Sequence, residues 1–241
     1  MGSAKLLAAI AILAIGLWAD VHVDLPGQLA IGAAVWALFL ALIAPLPAGE
    51  RYLYLACVAI ATAGELFLSL GWGLYTYRLG NVPMFVPPGH ALMLMLGFSL
   101  AHRMPEMAAR SILGGAGAYT LFAALAGLDT LAVPLYLMLA AAVLWLPAQR
   151  RLFASSFILT LTLELYGTTL GNWVWPREVP WVGLVTTNPP AIAGAFYCTL
   201  HALTIGAKAL MKRSPKLADP PLEFGRARLG GGSRRHAWFA A

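Results

Sequence analysis

Two glutamates, Glu65 and Glu164, lie well inside long apolar stretches of the chain. A carboxyl group at that depth in hydrocarbon costs at least about 2.5 kcal/mol, so it faces the interior of a helix bundle. There it either does chemistry or clamps neighbouring helices through hydrogen bonds. Burial favours the neutral form of a carboxyl, and a second carboxyl nearby strengthens that preference. One of the two is therefore suited to donate a proton at neutral pH. His90 stands in Pro87-Pro88-Gly89-His90, at the head of another apolar stretch. Prolines fit the first turn of a helix, whose amide hydrogens lack partners anyway. The histidine is thus placed near a loop and near water, as a general base, a partner of Glu65 or a structural residue.

Six aromatics gather around the same places: Trp72, Tyr75 and Tyr77, then Trp173, Trp175 and Trp181. They form either an interfacial belt or the wall of a pocket. Ring faces steady a nearby cation by about 0.5–2 kcal/mol. That would suit a carbocation formed when an acid protonates an isoprenoid double bond. Asn81, Asn172 and Asn188 lie in the adjoining loops and are placed to orient a substrate. The candidate set is then Glu65, Glu164 and His90 for catalysis. Trp72, Tyr75, Tyr77, Asn81, Asn172, Trp173, Trp175 and Asn188 are the candidates for substrate binding.

These residues need a scaffold, and the composition says which. Of 241 residues, 60% are hydrophobic and 11% charged. A soluble domain carries about 25% charged residues, so this chain cannot cover itself with a polar surface. It reads as an all-α, polytopic membrane helix bundle. Stretches long enough to span occur at about 4–19, 28–46, 52–74, 86–103, 107–127, 130–147, 152–173 and 190–211. The first has a basic flank, Lys5, but no clean cleavage site before Asp20, so it reads as a retained helix.

Lys and Arg favour cytoplasmic loops. With the N-terminus inside, the inner side collects Lys5, Arg51, Arg103, Arg110, Arg150 and Arg151. The outer side holds Arg78 and Arg177 with Asp20, Asp24 and Asp129. The expectation is a multi-pass protein of the cell inner membrane with both termini cytoplasmic. Residues 212–241 hold seven Lys/Arg and two acids, most of the net charge of +6. They read as a disordered basic tail able to lie against anionic lipid. This placement argues against nucleic acid as a partner.

Two stretches resemble each other, Gly64 to Ala91 and Leu163 to Ala193. Glu65 matches Glu164, and Leu70-Gly71 matches Leu170-Gly171. Aromatics follow in each, then Arg78 or Arg177, then Val82-Pro83 or Val179-Pro180. Pro87-Pro88 or Pro189-Pro190 opens the next span. The offset of about 100 residues is four spans, an even number, so the halves would run in the same direction. This predicts a parallel repeat about an axis along the membrane normal, with 1–104 and 105–211 as two four-helix units.

Other features are plainer. Cys57 and Cys198 sit in apolar segments and read as buried thiols. Asp20-Val21-His22-Val23-Asp24 has the spacing of a hard-metal or diphosphate site, but the short loop reads as solvated. His102 and His201 read as structural. No phosphate-binding glycine loop, zinc-protease motif, nucleophile elbow or kinase signature occurs. No cofactor or metal is expected.

The segment from Glu65 to His90 resembles one found in bacterial polytopic membrane proteins of unassigned function. It is also distantly similar to the membrane-type carotenoid hydratases. There a glutamate precedes a glycine and a Tyr-x-Tyr, followed by a Val-Pro turn into the next helix. The matching residues here are Glu65, Gly71, Tyr75, Tyr77, Val82 and Pro83, and the likeness covers about 25 residues. It implies acid-catalysed hydration of a double bond in a lipid or isoprenoid. Two other readings stay open: a proton-coupled transporter or channel, which at this size would need a homodimer, and a non-catalytic membrane assembly protein.

Overall fold

The computed structural model describes residues 2–213. Among them are eight α-helices: α1 (Ser3–Asp20), α2 (Leu25–Ile43), α3 (Ala48–Glu65), α4 (Val86–Ala101), α5 (Glu106–Leu125), α6 (Ala132–Trp145), α7 (Arg150–Leu170) and α8 (Gly194–Arg213). Two short strands, β1 (Thr76–Tyr77) and β2 (Trp173–Val174), complete the set. The expected tail lies outside the described residues, apart from its first two.

Local chemistry explains the helix ends. Asp24 caps α2 by accepting from the Gly27 N–H at 3.2 Å, with proline in the first turn. Pro87 and Pro88 occupy the first turn of α4, where no intrahelical donor is needed. α7 stops because Gly171 takes a left-handed conformation, φ 88°, that side chains resist. α3 does not stop at Glu65. It runs on as a π-helical turn, Leu66–Gly71, a form that accommodates one extra residue in a helix.

α4 is the central helix and is buried from Pro87 to Gly97. It packs against α3 and α7, and α8 packs against the same two. These four form the core. α1 and α2 pair on one flank and α5 and α6 on another. At Gly97 a Cβ would lie 2.8 Å from Ser156 Oγ, so glycine lets α4 and α7 approach closely.

The outward faces are apolar too. Leu7 and Ile15 on α1, Leu121 and Leu125 on α5, Leu144 on α6 and Leu165 on α7 are all exposed. Contiguous exposed apolar surface of this kind marks a lipid or protein interface. By length and apolarity, α1, α2 and Ala48–Gly71 each suffice to cross a membrane. α6 and α7 pass the same test only together, and they are bent by 110° at their junction. So three helices, or four with the bent pair, meet the criterion that eight stretches were expected to meet. α4 is short, at 16 residues, and lies shielded at the centre.

Candidate functional site

The aromatic loops cross at the end of the core. β1 pairs antiparallel with β2, with Thr76 opposite Val174 and Tyr77 opposite Trp173. Side chains alternate along a strand, so Tyr75 and Tyr77 point one way, as do Trp173 and Trp175. Tyr75 meets Trp175 at 4.7 Å between ring centroids, and Tyr77 meets Trp173 at 6.0 Å. The four rings close the end of the bundle above the two glutamates.

Each glutamate is held by the polar atoms of those rings. The Tyr75 and Tyr77 hydroxyls donate to Glu65 Oε2 at 2.8 and 2.7 Å. The Trp173 and Trp175 indole N–H groups donate to Glu164 Oε2 at 2.8 and 3.1 Å. The donors lie 10 and 12 residues beyond Glu65, but 9 and 11 beyond Glu164. The π-helical turn after Glu65 accounts for the extra residue. It lets the first pair of rings reach its carboxyl in the same way as the second pair. Gly167 makes room on the other side, since a Cβ there would sit 2.1 Å from the Trp173 ring.

His90 completes the first arrangement. Its Nδ1 lies 2.9 Å from the Val86 carbonyl. A carbonyl only accepts, so Nδ1 carries a hydrogen and Nε2 is turned to Glu65. Nε2 is 3.3 Å from Glu65 Oε1. Imidazole and carboxyl therefore face each other within hydrogen-bonding distance. Tyr197 stacks on the His90 ring at 4.6 Å, with planes 10° apart. On Glu164, Oε1 has no hydrogen-bond partner among the described residues.

Glu65, His90 and Glu164 line one cavity of about 190 Å³. Tyr75, Tyr77, Trp173, Trp175, Phe196 and Tyr197 supply its aromatic wall. Aliphatic side chains such as Leu13, Val35 and Leu203 supply the rest. The space compares with the apolar cavities of about 150 Å³ that hold a benzene ring. It fits a small apolar group next to three titratable ones.

The other candidates sit elsewhere. Trp72 donates its indole N–H to the Pro180 carbonyl at 2.8 Å and stacks on the exposed Trp181. Asn81 donates to Gln28 at 2.8 Å, and Asn172 donates to Asp20 Oδ2 and the Leu17 carbonyl, both at 2.9 Å. Asn188 Oδ1 accepts from the Trp175 N–H at 3.1 Å. None of these four lines the cavity. They hold the loops that carry the rings.

Of the segment expected to be a solvated loop, His22 and Asp24 are exposed but Asp20 is not. It is 1% exposed and accepts from Gln28 at 2.7 Å as well as from Asn172. Arg78 lies 3.7 Å from its carboxylate and donates to the backbone carbonyls of Asp20 and Val23. Arg177 does the matching work in the second half, donating to the Leu128 carbonyl at 2.9 Å and the Thr186 carbonyl at 3.1 Å. Among the described residues no group of three or more His, Cys, Asp or Glu could hold a metal ion.

The sequence reading passed over Tyr197, Phe196 and Gln28. Tyr197 precedes His201 by four residues, so the two share a helix face, and that spacing was the available signal. No family model, curated protein or solved structure matches the chain.

Proposed function

We propose that this protein is a membrane-embedded enzyme that adds water to a double bond of a lipid or isoprenoid. The observation that carries this reading is the convergence of Glu65, His90 and Glu164 on one apolar cavity walled by aromatic rings. Glu164 is the acid, because Oε1 is the carboxyl oxygen left without a protein partner. It passes a proton to one alkene carbon, and the positive charge falls on the other, facing the rings. Water adds through oxygen, and its surplus proton goes to the Glu65–His90 pair. Return of that proton to Glu164 closes the cycle, with one water added across the bond. The cavity holds only the reacting end, so the remaining chain lies between helices in the lipid.

The same proposal places the chain in the inner membrane with eight spans, both termini cytoplasmic. Support comes from apolar faces exposed on helices beyond the three that are long and apolar enough to cross a membrane. It also includes a parallel duplication, 1–104 and 105–211. Four matched devices support it: the glutamate with two ring donors, the arginine bound to loop carbonyls, the strand pairing, and an aspartate before the second helix that accepts from the N–H three residues on. Asp24, the N-cap of α2, accepts from Gly27 N–H, and Asp129, in the loop before α6, accepts from Ala132 N–H.

The test is expression in a host that makes acyclic isoprenoids, with mass spectrometry for a hydrated product. Glu65→Gln and Glu164→Gln each lower its yield by about 10²–10⁴-fold, while folded protein accumulates. A second reading, proton-coupled transport, is favoured by the Glu65 carboxyl and the His90 imidazole facing each other inside the bundle. pH-dependent uptake into proteoliposomes, without any hydrated product, would establish it in place of the first.

A further inference from the structure

Below Glu164, on the side away from its indole donors, the facing surfaces of α7 and α8 carry buried polar side chains. Ser156, Thr160 and Glu164 follow one another at intervals of four along α7, so they share a face. All are buried, at 1%, 0% and 8% exposure. On α8, His201 is fully buried, with Nδ1 2.9 Å from Ser156 Oγ. Two atoms in this row have no hydrogen-bond partner: Thr160 Oγ1 and His201 Nε2. Buried polar atoms are nearly always hydrogen-bonded, commonly to ordered water.

The spacing suits such bridges. Four residues of helix rise about 6 Å, and one water joined to two groups at about 2.8 Å each spans that gap. Tyr197 links the row to the other side of the cavity. Its ring meets His201 edge-on at 6.2 Å and stacks on His90. Ser155 and Thr204, both fully buried, continue the polar residues towards the end where α7 begins and α8 finishes. The matching positions below Glu65 are Ala61, which lines the cavity, and Cys57, whose thiol meets Thr204, so no hydroxyl or imidazole stands there.

We infer that Thr160, Ser156 and His201 form a one-sided track that brings water and protons to Glu164 from the end of the bundle where α7 begins. The inference rests on the reading that Glu164 exchanges a proton in turnover. The track brings co-substrate water to the acid and lets its proton exchange with that end of the bundle. This route is separate from the apolar side by which a lipid reaches the cavity. The proton returned within each cycle still comes from the Glu65–His90 pair.

The experiment is infrared spectroscopy of the full chain in lipid nanodiscs, at an acidic pH where the Glu164 carboxyl stretch is present. Glu164→Gln assigns the band, and transfer into deuterated buffer times its exchange. Thr160→Val and His201→Phe each slow that exchange by about tenfold, the factor expected for losing one hydrogen-bonding step. Thr160→Ser restores the rate, and Ala61→Val, below Glu65, leaves it unchanged. Exchange as fast in both variants as in the parent, or slowed equally by Ala61→Val, overturns the track. No substrate enters this measurement, so it separates from the hydration assay. An intact track without hydrated product rejects the enzyme and keeps the track, and the reverse pattern rejects only the track.

Discussion

Glu65 meets two phenols and an imidazole; Glu164 meets two indoles and has a free oxygen turned to the cavity. Both carboxyls hang from the end of a core helix and are gripped by rings from a loop that doubles back. The surroundings then diverge. The first half places a basic nitrogen against its carboxyl and an alanine and a cysteine beneath it. The second half places nothing basic there and puts hydroxyls and a histidine beneath. In the proposed reaction this difference separates the roles: a pair that receives a proton, and an acid that is resupplied. Two carboxyls gripped alike by ring donors take different roles only through different neighbours, which make one a donor and the other an acceptor.

Ways to break this pairing rank by size. Gly167→Ala should have the largest structural effect, about 3 kcal/mol of lost stability, because the new Cβ would overlap the Trp173 ring. The ring must move, and its bond to Glu164 goes with it. The first half carries Leu68 at the equivalent distance after Glu65, where the π-helical turn alters the path. Thermal unfolding in detergent measures the loss, and a change under about 1 kcal/mol would mean that the clamp does not depend on this contact.

The loop arginines come next. Arg78→Ala should cost about 2 kcal/mol and Arg177→Ala about 1 kcal/mol. Arg78 serves two carbonyls and lies 3.7 Å from the buried Asp20 carboxylate, whereas Arg177 serves two carbonyls and acts on the buried Asp129 only from beyond ion-pair distance. Equal losses would erase that distinction between the halves. Denaturation of the two variants side by side decides it.

The smallest effect lies just outside the proposed fifth span. Glu106 pairs with Arg150 and with Arg110, and these guanidinium groups hold its carboxyl below the usual glutamate range, Arg150 foremost. A carboxyl with a depressed folded pKa stabilises above its unfolded value and loses that contribution as pH falls through the folded one. Melting temperature should therefore dip slightly below about pH 4.3, and Glu106→Gln should flatten that part of the profile. Since the site is solvent-exposed, salt should weaken the dip as well. The first half's arginine–carboxylate pair, Arg78 with Asp20, is buried on the carboxylate side rather than exposed, so a salt-sensitive dip that survives Glu106→Gln would have its origin elsewhere.

Much of the site was legible because charge inside an apolar run is rare. Glu65 and Glu164 stood out on cost alone, and the helix at each expected stretch falls within four residues of it when the π-helical turn is counted with α3. The Tyr-x-Tyr and Trp-x-Trp spacing marked rings that face one way from a short strand. Asp20 read as solvated because a polar residue beside a loop looks so until the chain folds over it. Asn81 and Asn172, read as orienting a substrate, bond instead to Gln28 and to Asp20 with the Leu17 carbonyl. Gln28, from the start of α2, brings Asp20 and Asn81 into one network, and nothing in the spacing of these residues foretells that meeting.

The amino-acid order by itself determined an apolar helical bundle, two deep carboxyls and the aromatics that follow each at similar distances. Those depend on composition and on contacts within one segment. The tertiary structure decided which groups face each other. It set His90 against Glu65, turned Oε1 of Glu164 to the cavity and left a polar row on α7 and α8 with an alanine and a cysteine at the matching positions of α3. Such pairings join residues tens to more than a hundred positions apart, and only packing of the four core helices brings them within hydrogen-bond reach.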